Sequence, residues 1–239
     1  MACLALVFVT APPLSREATA QVAPASVGAV EDVVRDDLDL DTVTIQVDGT
    51  EVTLSGRVPT LWVKTQAIDK VLALDGVETV ATELTIPEVE DDDEIAKSVG
   101  SAIRQYRHYT ILDYVGASVL DGVVTLSGSV TPDRDKPAEL FERVAKIRGV
   151  QHIKLELTRQ SSSGRDIDLR TAIARRVRRD PTFSQYATML DLPFRILVEE
   201  GVVTLVGSVQ SEVEKRVLEQ IANRGFGVVR VVNLLQAGR

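Results

Sequence analysis

A chain of 239 residues has room for one large domain or two to three small ones. Hydrophobic residues at 44% and charged residues at 26% describe globular material and exclude a disordered chain, while aromatics at 4% leave the cores to Val, Ile, Leu and Ala. A net charge of −8 excludes a uniformly basic nucleic-acid binder. The charge is unevenly spread. Residues 1–100 carry 6 Lys/Arg against 19 Asp/Glu, residues 101–160 carry 9 against 7, and residues 161–239 carry 12 against 9, so the regional net runs −13, +2, +3. Any affinity for an anionic surface belongs to the second half.

Cys3–Ala11 is a short apolar run, followed by Pro12-Pro13 and by Ala18-Thr19-Ala20 before Gln21. An apolar region ending in an A-x-A site reads as a secretory signal over residues 1–20, against the alternative of a frayed N-terminal segment. Two features depart from the pattern: no Lys or Arg precedes the run, and Arg16-Glu17 stand where small neutral residues are usual. The run is too short to span a bilayer as a helix, and no later segment is long enough. Cys3, the single cysteine, falls inside this signal.

In chain order, Val27–Val34 has the spacing of a helix and Val43–Val47 that of a strand. Asp48–Val58 (D-G-T-E-V-T-L-S-G-R-V) follows as a second strand, Ile68, Val71 and Leu72 mark another helix, and Gly76 leads a third strand through Val77, Val80 and Leu84. The polar stretch Pro87–Asp93 reads as a linker. The same order then returns: a helix on Ile95, Val99, Ala102 and Ile103, a strand around Tyr109–Val119, and the strand Asp121–Val130 (D-G-V-V-T-L-S-G-S-V). There Val124 and Leu126 alternate with Thr125 and Ser127, the period of a half-buried strand. A helix on Leu140, Val144 and Ile147 follows, with Asp135 and Pro137 as start signals, and Gly149 leads Val150, Ile153 and Leu157. Ser161-Ser162-Ser163-Gly164 reads as the second linker.

The third pass has a helix on Leu169, Ile173 and Val177, an extra segment Pro181–Leu192, a strand near Phe194–Val198 and the strand Gly201–Val209 (G-V-V-T-L-V-G-S-V). Ser211 and Glu214 have the spacing of a capping box ahead of a helix on Val213, Val217 and Ile221. Gly227 then leads Val228, Val231 and Leu235. Gly56, Gly128 and Gly207 recur at separations of 72 and 79, each followed 20 or 21 residues later by Gly76, Gly149 or Gly227. Such spacing exceeds that of solenoid repeats and predicts three domains with separate cores, at 26–88, 92–160 and 165–237. The expected fold class is α+β: three tandem α-β-β-α-β modules, each a three-stranded sheet packed against two helices. Gly128 is expected to permit the turn from strand to helix, and the second glycine of each pair to cap the helix before it.

An α-β-β-α-β unit carrying G-x-V-x-L-x-G-x-V and, some 20 residues on, G-V-x-x-V resembles the BON domain, named for bacterial osmotically inducible protein Y and nodulation proteins. The resemblance runs from about residue 26 to 236 in three copies. Copy one departs by a residue inserted between Gly49 and Val52, and copy three by Val206 in place of serine. The resemblance implies a non-catalytic periplasmic or envelope-associated protein that binds phospholipid membranes or envelope proteins and supports survival of osmotic or envelope stress. It transfers no binding residues.

Nothing in the residues points to catalysis, a cofactor or a metal. His108 and His152 occupy non-equivalent places, without Cys, Asp or Glu at ligand spacing. No G-x-S-x-G, H-E-x-x-H or P-loop occurs. Asp91-Asp92-Asp93-Glu94 is consecutive where a calcium loop spaces its acids, and reads as a solvated helix start. The helix over 165–179 is different. Leu169, Ile173 and Val177 form its apolar stripe, with Arg170 and Arg176 beside it, Arg175 and Arg178 opposite, and Arg179 at its end. These five arginines are the candidate contacts to an anionic lipid surface or a protein partner; the alternative packs the stripe on the sheet and leaves the arginines solvated. Trp62 could anchor at a membrane interface or cap the small sheet of copy one, and the acidity of copy one favours the second role. Two binding readings therefore stand, a lipid-surface protein and a protein-binding scaffold or chaperone-like factor.

Overall fold

The computed structural model describes residues 26–87, 90–186, 188–189 and 191–238. The expected signal at 1–20 lies outside them. The first unit runs α1 (Val27–Glu31), continued by a π-helical segment Asp32–Asp37, then β1 (Thr44–Asp48), β2 (Glu51–Arg57), α2 (Leu61–Leu72) and β3 (Thr79–Thr85). The second runs α3 (Asp92–Arg104), β4 (Tyr114–Leu120), β5 (Val123–Val130), α4 (Lys136–Ala145) and β6 (His152–Arg159). In the third, α5 (Gly164–Arg179) leads to a 310 turn (Pro181–Tyr186), β7 (Phe194–Glu199), β8 (Val202–Val209), α6 (Glu212–Asn223) and β9 (Arg230–Ala237). In every sheet the motif strand is central, antiparallel to the strand before it and parallel to the one after α2, α4 or α6. The predicted α+β class and element order are therefore the observed ones.

Period-2 alternation decides which face is covered. Val52 and Leu54, Val124 and Leu126, and Val203 and Leu205 are all fully buried beneath the helices, while Thr53, Thr125 and Thr204 lie half-exposed on the other face. Helical stripes close the cores from the opposite side: Val30 and Val34, Ile95 and Val99, and Leu169, Ile173 and Val177.

Gly128 does not sit in a turn. It lies inside β5, paired with Val115 on one side and Leu157 on the other, at φ 130°. The backbone of Tyr114 crosses so close there that a Cβ would overlap its carbonyl oxygen. Gly56 and Gly207 repeat the arrangement against Thr42 and Pro193. The motif glycine is thus required where two strands approach too closely for any side chain. Nor do the second glycines cap helices. α2 ends at Leu72, and Gly76 occupies the following turn, in which the Val77 N–H donates to Leu74 O at 3.2 Å.

Two further boundaries differ from expectation. The strand expected from Tyr109 begins only at Tyr114, because Asp113 folds 110–113 into a turn by accepting from the Thr110 N–H (2.9 Å) and hydroxyl (2.8 Å). Ser161–Gly164 is not a free linker but the start of α5: Ser163 Oγ accepts from the Asp166 N–H and Ser161 O from Arg170.

The units are packed against one another. The first two share one apolar core, and the Trp62 ring lies beneath Lys146 Nζ at 5.2 Å. Trp62 therefore packs toward the second unit, not only over its own sheet. Gln160 joins the second and third, donating to Leu112 O (2.6 Å) while its own carbonyl accepts from the Val198 N–H (3.4 Å). Ile111 enters the third unit's core, and its carbonyl accepts from Ile196 N–H at 2.8 Å.

Candidate functional site

The five arginines singled out on α5 separate into distinct environments. Arg170 is 3% exposed: Nη2 donates to Ser161 O, Nε has no partner among the described residues, and burial pushes the guanidinium below its usual pKa against the pull of Asp166 and Glu199. It belongs to the joint between units two and three and is lost from the surface set. Arg175 and Arg178 lean over Thr110–Leu112 of the second unit, lining a shallow cleft of about 350 Å³. Arg176 points the other way and donates to Arg224 O at 2.7 Å. Arg175, Arg176, Arg178 and Arg179 are all exposed, and among the described residues no carboxylate lies within 4.0 Å of any of them.

At 100° per residue, Arg175, Arg178 and Arg179 lie on the outward arc of α5, with Asp168 between Arg175 and Arg179, while Arg165 and Arg176 border the buried stripe. The arc can stay in water because the stripe below it is spent on the core: Leu169, Ile173 and Val177 are buried under β7 and β8. The amphipathic stripe is therefore not available to a bilayer, and Ile167, 43% exposed, is the one large apolar side chain that α5 leaves in water.

Several features of the second and third units were not read from the sequence. Asp113 (0% exposed) and Lys136 (2%) form a buried ion pair, Nζ to Oδ1 and Oδ2 both 2.9 Å, completed by Thr131 Oγ1 at 2.6 Å from Nζ. Nothing in their spacing marks them, since Asp113 precedes a strand and Lys136 opens a helix 23 residues later. Every acceptor of the pair is used within the second unit, so the cluster is a structural brace. The insertion Pro181–Leu192 adds an aromatic wall, with Phe183 and Tyr186 ring centroids 5.7 and 5.4 Å from Phe194. Tyr186 and the Gln210 N–H both donate to Glu214. The expected capping box is half formed in consequence: Ser211 Oγ accepts from the Glu214 N–H, while the Glu214 carboxylate is drawn to Tyr186 and Gln210. A cleft of about 500 Å³ opens between this wall and Tyr109–Ile111, with Arg178 on its rim.

The remaining candidates stay apart. His108 stacks edge-on against Tyr106 at 5.6 Å, and burial followed by Arg134 and Arg107 holds its pKa below the usual value. His152 is exposed at the start of β6. Among the described residues no three His, Cys, Asp or Glu side chains are placed to hold a metal ion, and no helix is long and apolar enough to cross a membrane.

The BON domain profile matches residues 26–88 and 166–239, together more than half of the chain. The chain belongs to the BON domain family. Comparison with curated proteins finds no match. Among solved structures, it is similar at 14% identity to the C-terminal domain of CdsD, a structural protein of the type III secretion system of Chlamydia trachomatis; the alignment covers 89% of this chain and 96% of that one, with a TM-score of 0.25. The PrgH periplasmic domain aligns at 14% identity over 85% of this chain and 99% of that one, with a TM-score of 0.20.

Proposed function

We propose that this chain is a non-catalytic binding protein of the bacterial periplasm that attaches to anionic phospholipid surfaces through the outward arc of α5 and supports envelope or osmotic stress tolerance. The middle unit, which lies between the two matched regions, we read as a third and diverged BON domain, because it repeats the element order, the register and the crossing-strand glycine of its neighbours. The observation that carries the lipid reading is the group Arg175, Arg176, Arg178 and Arg179, exposed without a carboxylate partner among the described residues on a helix whose apolar stripe is already buried. A basic residue close to an anionic leaflet contributes about 1 kcal/mol. The periplasmic placement is supported by the family and by the A-x-A pattern ahead of Gln21.

The test is co-sedimentation of residues 21–239 with phosphatidylglycerol vesicles at low and high salt. This fragment keeps every described residue and drops the apolar Cys3–Ala11 run, which would itself partition into lipid. Binding is expected at low salt, to weaken steeply as salt rises, and to fall roughly a hundredfold when Arg175, Arg176 and Arg179 are all changed to Ala. Absence of low-salt binding, or indifference to the triple change, sinks the lipid reading and favours the protein scaffold.

A further inference from the structure

Phe226 is 95% exposed, in a chain with few aromatics to leave in water. It stands between Gly225 and Gly227 in the turn joining α6 to β9, and Val229, three residues on and packed over Gly201 of the β7–β8 hairpin, is 74% exposed. The repeats supply an internal control. The residue just before the second glycine is Asp75 in the first unit, Arg148 in the second and Phe226 in the third, and all three are exposed. Two units place a charge at this tip, as solvent favours; the third places a benzyl group there.

The turn is held firmly although its side chain is free. A Cβ on Gly225 would meet Leu169 Cδ1 at 2.5 Å, so the backbone is pressed directly against the core stripe of α5. Gly227 sits at φ 89° with the Arg165 side-chain carbons 3.6 Å from its Cβ position, and Arg224 O accepts from Arg176. The tip therefore runs alongside α5 between Arg165 and Arg176, with Arg224 and Arg230 flanking it in sequence. Asp168, one turn along α5 from Arg165, and Glu200, next to the Gly201 that packs on Gly227 and Val229, are acids set against these four arginines.

We infer that Phe226, with Val229, is an interfacial wedge that enters the headgroup–acyl boundary of an anionic bilayer while the surrounding arginines engage lipid phosphates. Convexity and charge together select this occupant. A protruding aromatic ringed by cations fits a soft anionic surface, into which an aromatic side chain partitions at headgroup depth. The inference rests on the lipid reading above and adds an apolar, salt-insensitive component that the arginine arc alone does not supply.

Phe226→Ser is expected to weaken partitioning of residues 21–239 onto phosphatidylglycerol vesicles by about tenfold or more, with the salt dependence unchanged. Its side chain touches no core, so melting should not move. Phe226→Trp should show a blue-shifted indole quenched by lipids brominated on the acyl chains, while Trp62, in the first unit, stays unquenched in the parent. If the parent binds but Phe226→Ser binds equally and the new indole is not quenched, the wedge is overturned and the arginine reading stands. If the parent fails to bind at low salt, both fall.

Discussion

Gly128 shows how one atom can decide a module. Its backbone takes φ 130° in the middle of β5, where the Tyr114 carbonyl occupies the space of a Cβ. Valine there would combine a disfavoured conformation with direct overlap, and its β-branch could not rotate away. Gly128→Val should therefore cost the second unit at least about 2 kcal/mol, read as a lowered denaturant midpoint at unchanged vesicle binding by the third unit. An unaltered midpoint would remove the crossing-strand role. The sequence displayed this glycine clearly through its threefold recurrence but suggested a turn, because recurrence reports that a residue is needed and not which neighbour excludes its side chain. Phe226 was illegible for the opposite reason. It breaks no pattern of spacing, and it stands out only when the turns are compared unit by unit, an aromatic left in water where Asp75 and Arg148 put a charge.

Among the elements, the hairpins of units two and three are each tied to the first helix by one aspartate. Asp166, in the first turn of α5, accepts from the Glu200 N–H at 3.0 Å and the Gly201 N–H at 2.9 Å; Asp92 in α3 does the same for Asp121 and Gly122 at 2.8 and 2.9 Å. Val27 stands at the corresponding place in α1, so the first unit lacks the tie. Burial pushes the Asp166 carboxyl up, but hydrogen bonds from Ser161, from the Gly201 and Glu200 N–H groups and from Ser163 outweigh it and hold the pKa below the usual carboxylate range. A depressed native pKa contributes stability that is complete above the unfolded value of about 3.9 and is lost as pH falls through the native value. Asp166→Asn should thus destabilise the third unit by about 1–2 kcal/mol at pH 7 and by progressively less below pH ~4. Melting curves of parent and variant that stay parallel down to pH 2 would contradict the tie. Stripe and strand periodicity made nearly every element visible beforehand, since burial on one face imposes it. The tie was hidden because Asp92 sits in an acidic run that reads as solvated, and Asp166 beside arginines that read as surface.

At the scale of the whole molecule, the stretch Ser161–Gly164, which reads as a polar linker, behaves differently from a free tether. Sequence polarity predicts hydration, yet Ser161 and Ser163 direct their polar groups inward to Arg170 and to the start of α5, and Gln151 Nε2 reaches back to Ile86 O at 3.2 Å. A polar joint can be a hydrogen-bonded one, and composition does not distinguish the two. Gln160 is the centre of the second joint: buried, donating to Leu112 O and accepting from Val198 N–H, with the Arg195 guanidinium 4.7 Å over the Tyr109 ring nearby. With Ile111 in the third unit's core, this joint should make units two and three unfold together, holding the arginine arc and the Phe226 tip at a fixed distance from the second unit. Replacing Gln160 with Leu leaves the Leu112 carbonyl and the Val198 N–H without their partner, a loss of about 1–3 kcal/mol concentrated at the joint and not in either core. Calorimetry should then resolve two transitions where the parent shows units two and three melting as one, and hydrogen exchange should rise at Ile111, Leu112 and Val198 before it rises in β5 or β8. A parent that already melts in separate steps would show that the joint does not couple the units, and the arc on α5 would then work as an independently oriented module.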